Sequence, residues 1–226
     1  GATWTTPSIS STTIYYVEAD NGSCTSSSRT AVTATVTNPP GGVGSNLHLW
    51  LKADAQAHSS GTTLATDGQP IDNWKDQSGN NLNADDSDGT GPDWDADAIN
   101  YNPALDFTGG ATGQPLDIPN GILEGGTKTV LYVYSVFATD LEQTQALFYQ
   151  QTNVSSSNWH YTFIPHWSNG SIYYDHGTNS TGRITNTSGI TLGQPHLFSL
   201  KSDGADMEIK RDGTSIGTST QNGTST

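Results

Sequence analysis

Acidic side chains that could do chemistry are concentrated in one short stretch: Asp85, Asp86, Asp88, Asp93, Asp95 and Asp97, with Gly89 among them. Carboxylate oxygens beside a glycine that permits a sharp turn are the donor type Ca²⁺ selects. The EF-hand template does not fit, because taking Gly89 as its glycine puts Ala84 at the first ligand position. Two readings stay open. One is a calcium site of another design, built from these Asp side chains and loop carbonyls; the other is a solvated acidic loop whose Asp residues form turns. Carboxylate catalysis finds less support. Retaining glycoside hydrolysis needs two acids about 5–5.5 Å apart across the sugar. The Glu residues, Glu18, Glu124, Glu142 and Glu208, stand in no alternating acid pattern. Asp93-Trp94-Asp95-Ala96-Asp97 does alternate, but in a Gly- and Pro-rich stretch where nothing predicts the desolvation that raises an acid's pKa. No nucleophile-elbow pattern occurs either. The chain is read as non-enzymatic.

Carbohydrate binding needs aromatic platforms flanked by amides and carboxylates, because a sugar offers apolar C–H faces and many hydroxyls. Trp94, Tyr101, Trp159, His166, Trp167, Tyr173 and Asp175 are of this kind. Trp94, in its polar stretch, is the best exposed candidate, and Trp94→Ala is expected to abolish binding. The bland alternative assigns Trp159, Tyr161, Phe163, Ile172 and Tyr174 to packing, with Trp50 and Trp74 as core. His160, His166 and His176 match no zinc spacing.

The elements that must position these groups are strands. Thr, Val, Tyr and Trp favour pleated, half-buried surfaces, and 25 Gly and 10 Pro punctuate turns. Thr12 to Ala19 and the alternating Thr30 to Thr37 predict a hairpin about the Asp20–Ser23 turn. Pro39, Pro40 and the following glycines predict a linker over residues 38–45. From Asn46 onward short strands recur at the spacing of a sandwich. The apolar run Leu47 to Leu51 and the run Ala104 to Phe107 bracket the acidic excursion as strands. Thr129 to Phe137, nearly continuous in apolar character, predicts a central strand covered on both faces. Asp140 to Tyr149 is the helix candidate, although Ala146-Leu147-Phe148 favours a strand at its end.

Composition excludes several partners. With 22 acids against 8 bases the net charge is −14, which disfavours nucleic acid and anionic membrane. No apolar run approaches the roughly 18–20 residues of a membrane-spanning helix, so no membrane insertion is expected. The lone Cys24 supplies no internal disulfide. Six Asn-x-Ser/Thr triplets, at Asn21, Asn153, Asn169, Asn179, Asn186 and Asn222, are what chance provides in so Asn-, Ser- and Thr-rich a chain.

Two resemblances complete the reading. Tyr15-Tyr16-Val17-Glu18-Ala19 and Arg29 to Val36 resemble the last two strands of bacterial Ig-like modules, which recur in surface proteins of the Bacteroidetes type. The resemblance implies a partial Ig-like module over residues 1–37, whose earlier strands, and any partner for Cys24, lie outside this stretch. Leu49 to Asp54, Asn73-Trp74-Lys75-Asp76-Gln77-Ser78-Gly79-Asn80, Pro103 to Gly109, Ile164 to Asp175 and Met207 to Thr214 resemble bacterial concanavalin A-like, laminin-G-like domains. That implies an all-β antiparallel sandwich, a jelly roll, over residues 46–226. Family members close with one more apolar strand that Thr218 to Thr226 does not supply, so this domain is expected to be incomplete at its C-terminus.

The expected protein is a non-catalytic segment of a large, secreted, multidomain bacterial surface protein, serving adhesion or carbohydrate binding with calcium as an aid. Its expected partners are a glycan or cell-surface polysaccharide and neighbouring domains of the same chain. The alternatives are an accessory module of an extracellular polysaccharide-degrading enzyme and a ligand-free structural repeat of a surface filament.

Overall fold

The structure is a computed structural model that describes residues 3–107 (apart from 8, 10, 11, 35, 37 and 38), 114–135 (apart from 120 and 124–126), 148–150, 161–176 and 182–220. It is all-β: among the described residues no α-helix occurs, and Pro40–Gly42 forms a single 3₁₀ turn. Of the helix candidate only Phe148 and Tyr149 are described, and they are strand; the rest lies outside the described residues.

The N-terminal unit is the antiparallel hairpin Thr13–Val17 (β1) and Thr30–Ala34 (β2), registered at Tyr15↔Val32. The Asn21 carboxamide accepts from the N–H groups of Ser23 and Cys24, and Asp20 accepts from Gly22, so the turn is made by side-chain acceptors.

Seven short strands follow: Ala57–Ser60 (β3), Thr63–Leu64 (β4), Gln69–Pro70 (β5), Asn73–Trp74 (β6), Ala84–Asp85 (β7), Asp93–Ile99 (β8) and Asn102–Asp106 (β9). They form two small sheets, ordered β4-β3-β6-β7 and β5-β8-β9. The run Leu47 to Leu51 corrects the expectation of a strand there, for it has no ladder partner. It is instead held by side chains of the Asn-Trp-Lys-Asp-Gln-Ser-Gly-Asn motif. Asp76 accepts from Trp50 N–H at 2.9 Å, Ser78 Oγ donates to the His48 carbonyl at 3.1 Å, and Asn80 Nδ2 donates to the Leu47 and His48 carbonyls. Trp50 and Trp74 are half-buried rather than core. The Trp74 indole N–H donates to the Lys52 carbonyl at 2.7 Å, and a polar tip of this kind keeps a large aromatic ring at a polar boundary.

Among the described residues eight strands build the sandwich: Thr127–Tyr134 (β10), Phe148–Gln150 (β11), Tyr161–Ile164 (β12), Ile172–His176 (β13), Arg183–Asn186 (β14), His196–Asp203 (β15), Asp206–Arg211 (β16) and Thr214–Thr220 (β17). They pair antiparallel in two sheets, β10-β15-β16-β17 and β11-β12-β13-β14. Period-two alternation puts Tyr161, Phe163, Ile172, Tyr174 and Ile184 on the inner face of one sheet. Phe198, Leu200, Met207 and Ile209 fill the inner face of the other, and together they form one buried cluster. Phe163 and Phe198 meet across it at 5.0 Å between ring centroids. Each such fully buried side chain contributes about 1.5–3 kcal/mol. The layers also meet at β14 and β17, where a side chain on Gly217 would collide with Ile184. Asp212 and Gly213 both have positive φ, giving the expected tight β16–β17 turn, and β17 extends to Thr220.

β10 corrects the sequence expectation. It ends its sheet's order among the described residues, and only alternate residues are covered: Leu131 is 58% and Val133 62% exposed. Apolar residues on both faces produce the continuous apolar run, so the run alone does not imply burial on both sides.

Candidate functional site

The outer face of the β11–β14 sheet gathers the polar and aromatic groups. Tyr173 and Asp175 alternate with the inward Ile172, Tyr174 and His176. Ladder pairing sets Asp175 opposite Arg183 and Tyr173 opposite Thr185. The Arg183 guanidinium grips Asp175 at both oxygens, Nε to Oδ1 at 2.6 Å and Nη2 to Oδ2 at 2.7 Å. It also lies over the Tyr173 ring, 4.7 Å from the centroid. Trp167 enters from the β12–β13 connection. Its N–H donates to the Ser171 carbonyl at 2.8 Å, its carbonyl accepts from Gly170, and its ring stands edge-on to Tyr173 at 5.7 Å and 86°. The result is a corner of two aromatic rings with the charge-assisted Arg183–Asp175 fork against Tyr173. The Asp175 carboxylate itself is 1% exposed and is the anchor of Arg183, so Arg183 is the cluster's accessible polar group. The pair raises the guanidinium pKa further above its ordinary value, and it stays protonated.

Trp167, Tyr173 and Asp175 are thus brought together, while His166 lies beside them in the connection. Trp159 and His160 lie outside the described residues. Arg183 was missed by sequence reading; its neighbours Thr181, Gly182, Thr185 and Asn186 are polar, and Ile184 alone signals a strand. His176 is buried between the layers, with Nδ1 hydrogen-bonded to Ser202 Oγ at 2.6 Å.

Trp94 and Tyr101 sit elsewhere. The expected acidic loop is a strand over much of its length, β8, and Trp94 lies half-buried in it opposite Leu105. Its indole N–H donates to the Ala53 carbonyl at 2.7 Å, tying β8 to the segment before β3. Trp94 is therefore half-buried with its indole N–H engaged, which corrects the expectation that it is the best exposed candidate. Trp94→Ala is expected to lower stability by about 2 kcal/mol in a denaturant melt. Tyr101 is 91% exposed, at the tip of the β8–β9 hairpin, where Asn100 and Tyr101 both adopt left-handed conformations at φ 51° and 62°. That two-residue turn favours glycine at its second position, and a tyrosine there is strained. Tyr101→Gly should raise the unfolding free energy by about 0.5–1 kcal/mol; an unchanged urea midpoint would contradict the strain.

Of the acids expected to hold calcium, Asp86, Asp88 and Asp95 accept from backbone N–H groups. Asp86 Oδ1 accepts from Asp88 and Gly89 N–H, and Oδ2 from Gly91 N–H at 3.0 Å. Burial raises the Asp86 carboxyl pKa, but those N–H groups outweigh it and leave it below the ordinary range. Asp88 accepts from Thr90, Asp95 from Asp97 N–H, and Asp85 from Asn73. Asp93 pairs with Asp106 across the β8–β9 ladder. Among the described residues no three His, Cys, Asp or Glu side chains gather into a group that could hold a metal ion. Ca²⁺ takes six to eight converging oxygens, more than the described carboxylates bring together. Adding Ca²⁺ after EDTA treatment should leave the melting temperature unchanged, whereas a rise of several degrees would restore a calcium site.

Residues 1–39, which contain the β1–β2 hairpin, match the family described as Ig-like domain, CHU_C associated. This unit is similar to an Ig-like domain. The match covers the N-terminal unit alone and does not reach the sandwich. No curated protein and no solved structure matches the chain. An Ig-like unit and an all-β fold fit a non-catalytic module of an extracellular or surface protein. Among the described residues no helix is long and apolar enough to cross a membrane.

Proposed function

We propose that the chain is a non-catalytic segment of a secreted, multidomain bacterial surface protein whose sandwich, of concanavalin A/laminin-G-like type over residues 46–226, binds carbohydrate. The Ig-like unit serves as a spacer to neighbouring domains. The observation that carries the proposal is the corner formed by Trp167, Tyr173 and Arg183, with Asp175 fixing the guanidinium. A sugar ring can lay a C–H face on an aromatic wall while its hydroxyls accept from the guanidinium edge. Nothing in the cluster resembles a catalytic carboxylate pair, because its one acid is bound to arginine. Screening residues 1–226 on a glycan array tests the proposal. Binding to a defined set of oligosaccharides is the expected result, and an array without signal would remove the carbohydrate reading.

A further inference from the structure

The same corner constrains the charge of its ligand, an inference that rests on the carbohydrate reading above. Arg183 already makes both N–H···O contacts of a bidentate fork with Asp175 and lies over the Tyr173 ring. The positive charge that an incoming uronate, sulfate or phosphate would seek is already offset by the Asp175 carboxylate. To take the Nε–Nη2 edge itself, the anion would have to displace a carboxylate whose side chain is 1% exposed, leaving that charge buried and unpaired. Counting one cation and one anion, the cluster is neutral as a unit. The molecule around it carries a net charge of −14, with 22 acids against 8 bases, and therefore repels polyanions at long range. A neutral sugar meets neither obstacle. Its hydroxyls need only single N–H donors at the guanidinium edge, and its apolar face needs only one aromatic wall, the Trp167 ring beside Tyr173. We propose that the ligand of this site is an uncharged polysaccharide and that the site discriminates against uronate- and sulfate-bearing chains.

Affinity electrophoresis of the full chain in native gels tests this directly. One set of gels holds the neutral polymers xylan, mannan, a β-1,3-glucan and hydroxyethylcellulose; the other holds polygalacturonate, alginate and dextran sulfate. Each gel is run at about 20 mM and at about 150 mM salt, so that long-range repulsion is present in one and largely screened in the other. The expected result is mobility reduced at least about twofold by one or more neutral polymers and unchanged by every polyanion at both salt concentrations. Stronger retardation by a polyanion than by any neutral polymer, at either salt concentration, overturns the inference and leaves the carbohydrate reading standing. Retardation by no polymer overturns both.

Discussion

Asp76→Ala is expected to lower the unfolding free energy by about 3–5 kcal/mol, the largest effect of any substitution in the segment before β10. The Asp76 carboxylate is buried and accepts from four donors: Trp50 N–H at 2.9 Å, Ser78 N–H at 2.8 Å, Ser78 Oγ at 2.7 Å and Leu82 N–H at 3.1 Å. Alanine would leave backbone N–H groups from three parts of the chain without an acceptor. Because Trp50 and Leu82 are far apart in sequence, the loss would also release the Leu47 to Leu51 run, which has no ladder of its own. Asn in place of Asp keeps one acceptor oxygen but turns a donor toward the same N–H groups, so Asp76→Asn should recover only part of the loss. The pH dependence has a defined sign. Burial raises the Asp76 carboxyl pKa, but the hydrogen bonds from Ser78, Trp50 and Leu82 more than reverse this, so it is lower folded than unfolded. Its stabilisation is therefore complete above the unfolded value, about 3.9, and is lost as pH falls through the folded one. Urea melts at neutral pH and below about pH 3.5 check both points. Equal midpoints for wild type and Asp76→Ala at neutral pH would contradict the clamp.

Arg183→Met is expected to cost about 3–5 kcal/mol, because it strands a carboxylate that is 1% exposed. The double variant Arg183→Met/Asp175→Leu should recover most of that loss, since replacing a buried pair by apolar groups of similar volume is often neutral. A double-mutant cycle in urea separates the two effects. A single variant as stable as wild type would show that Asp175 finds another partner. The double variant has a further use. If the pair serves recognition, the double variant keeps the fold and loses the ligand.

Parts of this architecture are legible in the sequence for physical reasons that differ from element to element. The hairpin of β1 and β2 and the Asp212-Gly213 turn follow from local chemistry: alternation in the strands, and left-handed residues in the turn. Tyr161, Phe163, Ile172 and Tyr174 read as core because alternate positions carry large side chains. Leu47 to Leu51 and β10 mislead because apolar content says nothing about which neighbour covers a face, and burial is decided by tertiary pairing. The acidic stretch misleads in another way. Asp forms turns and also occurs in strands, so Asp93, Asp95 and Asp97 of β8 look like a loop when counted by composition. At the candidate site, Trp167, Tyr173 and Asp175 carry their chemistry in their residue types. Arg183 becomes visible only when β13 and β14 pair, because a contact across a ladder between residues eight positions apart has no sequence period.

The carbohydrate reading turns on Trp167 more than on any other residue, because it forms one wall of the corner yet lies in a connection rather than in the core. Isothermal titration of wild type and Trp167→Ala, each shown by a thermal melt to be folded, with the neutral oligosaccharide that gives the strongest array signal is the most direct measurement. The predicted result is binding by wild type and affinity weakened at least about tenfold, or about 1.4 kcal/mol, in Trp167→Ala. Equal affinity in the two folded proteins would contradict the account and place the ligand elsewhere on the sandwich.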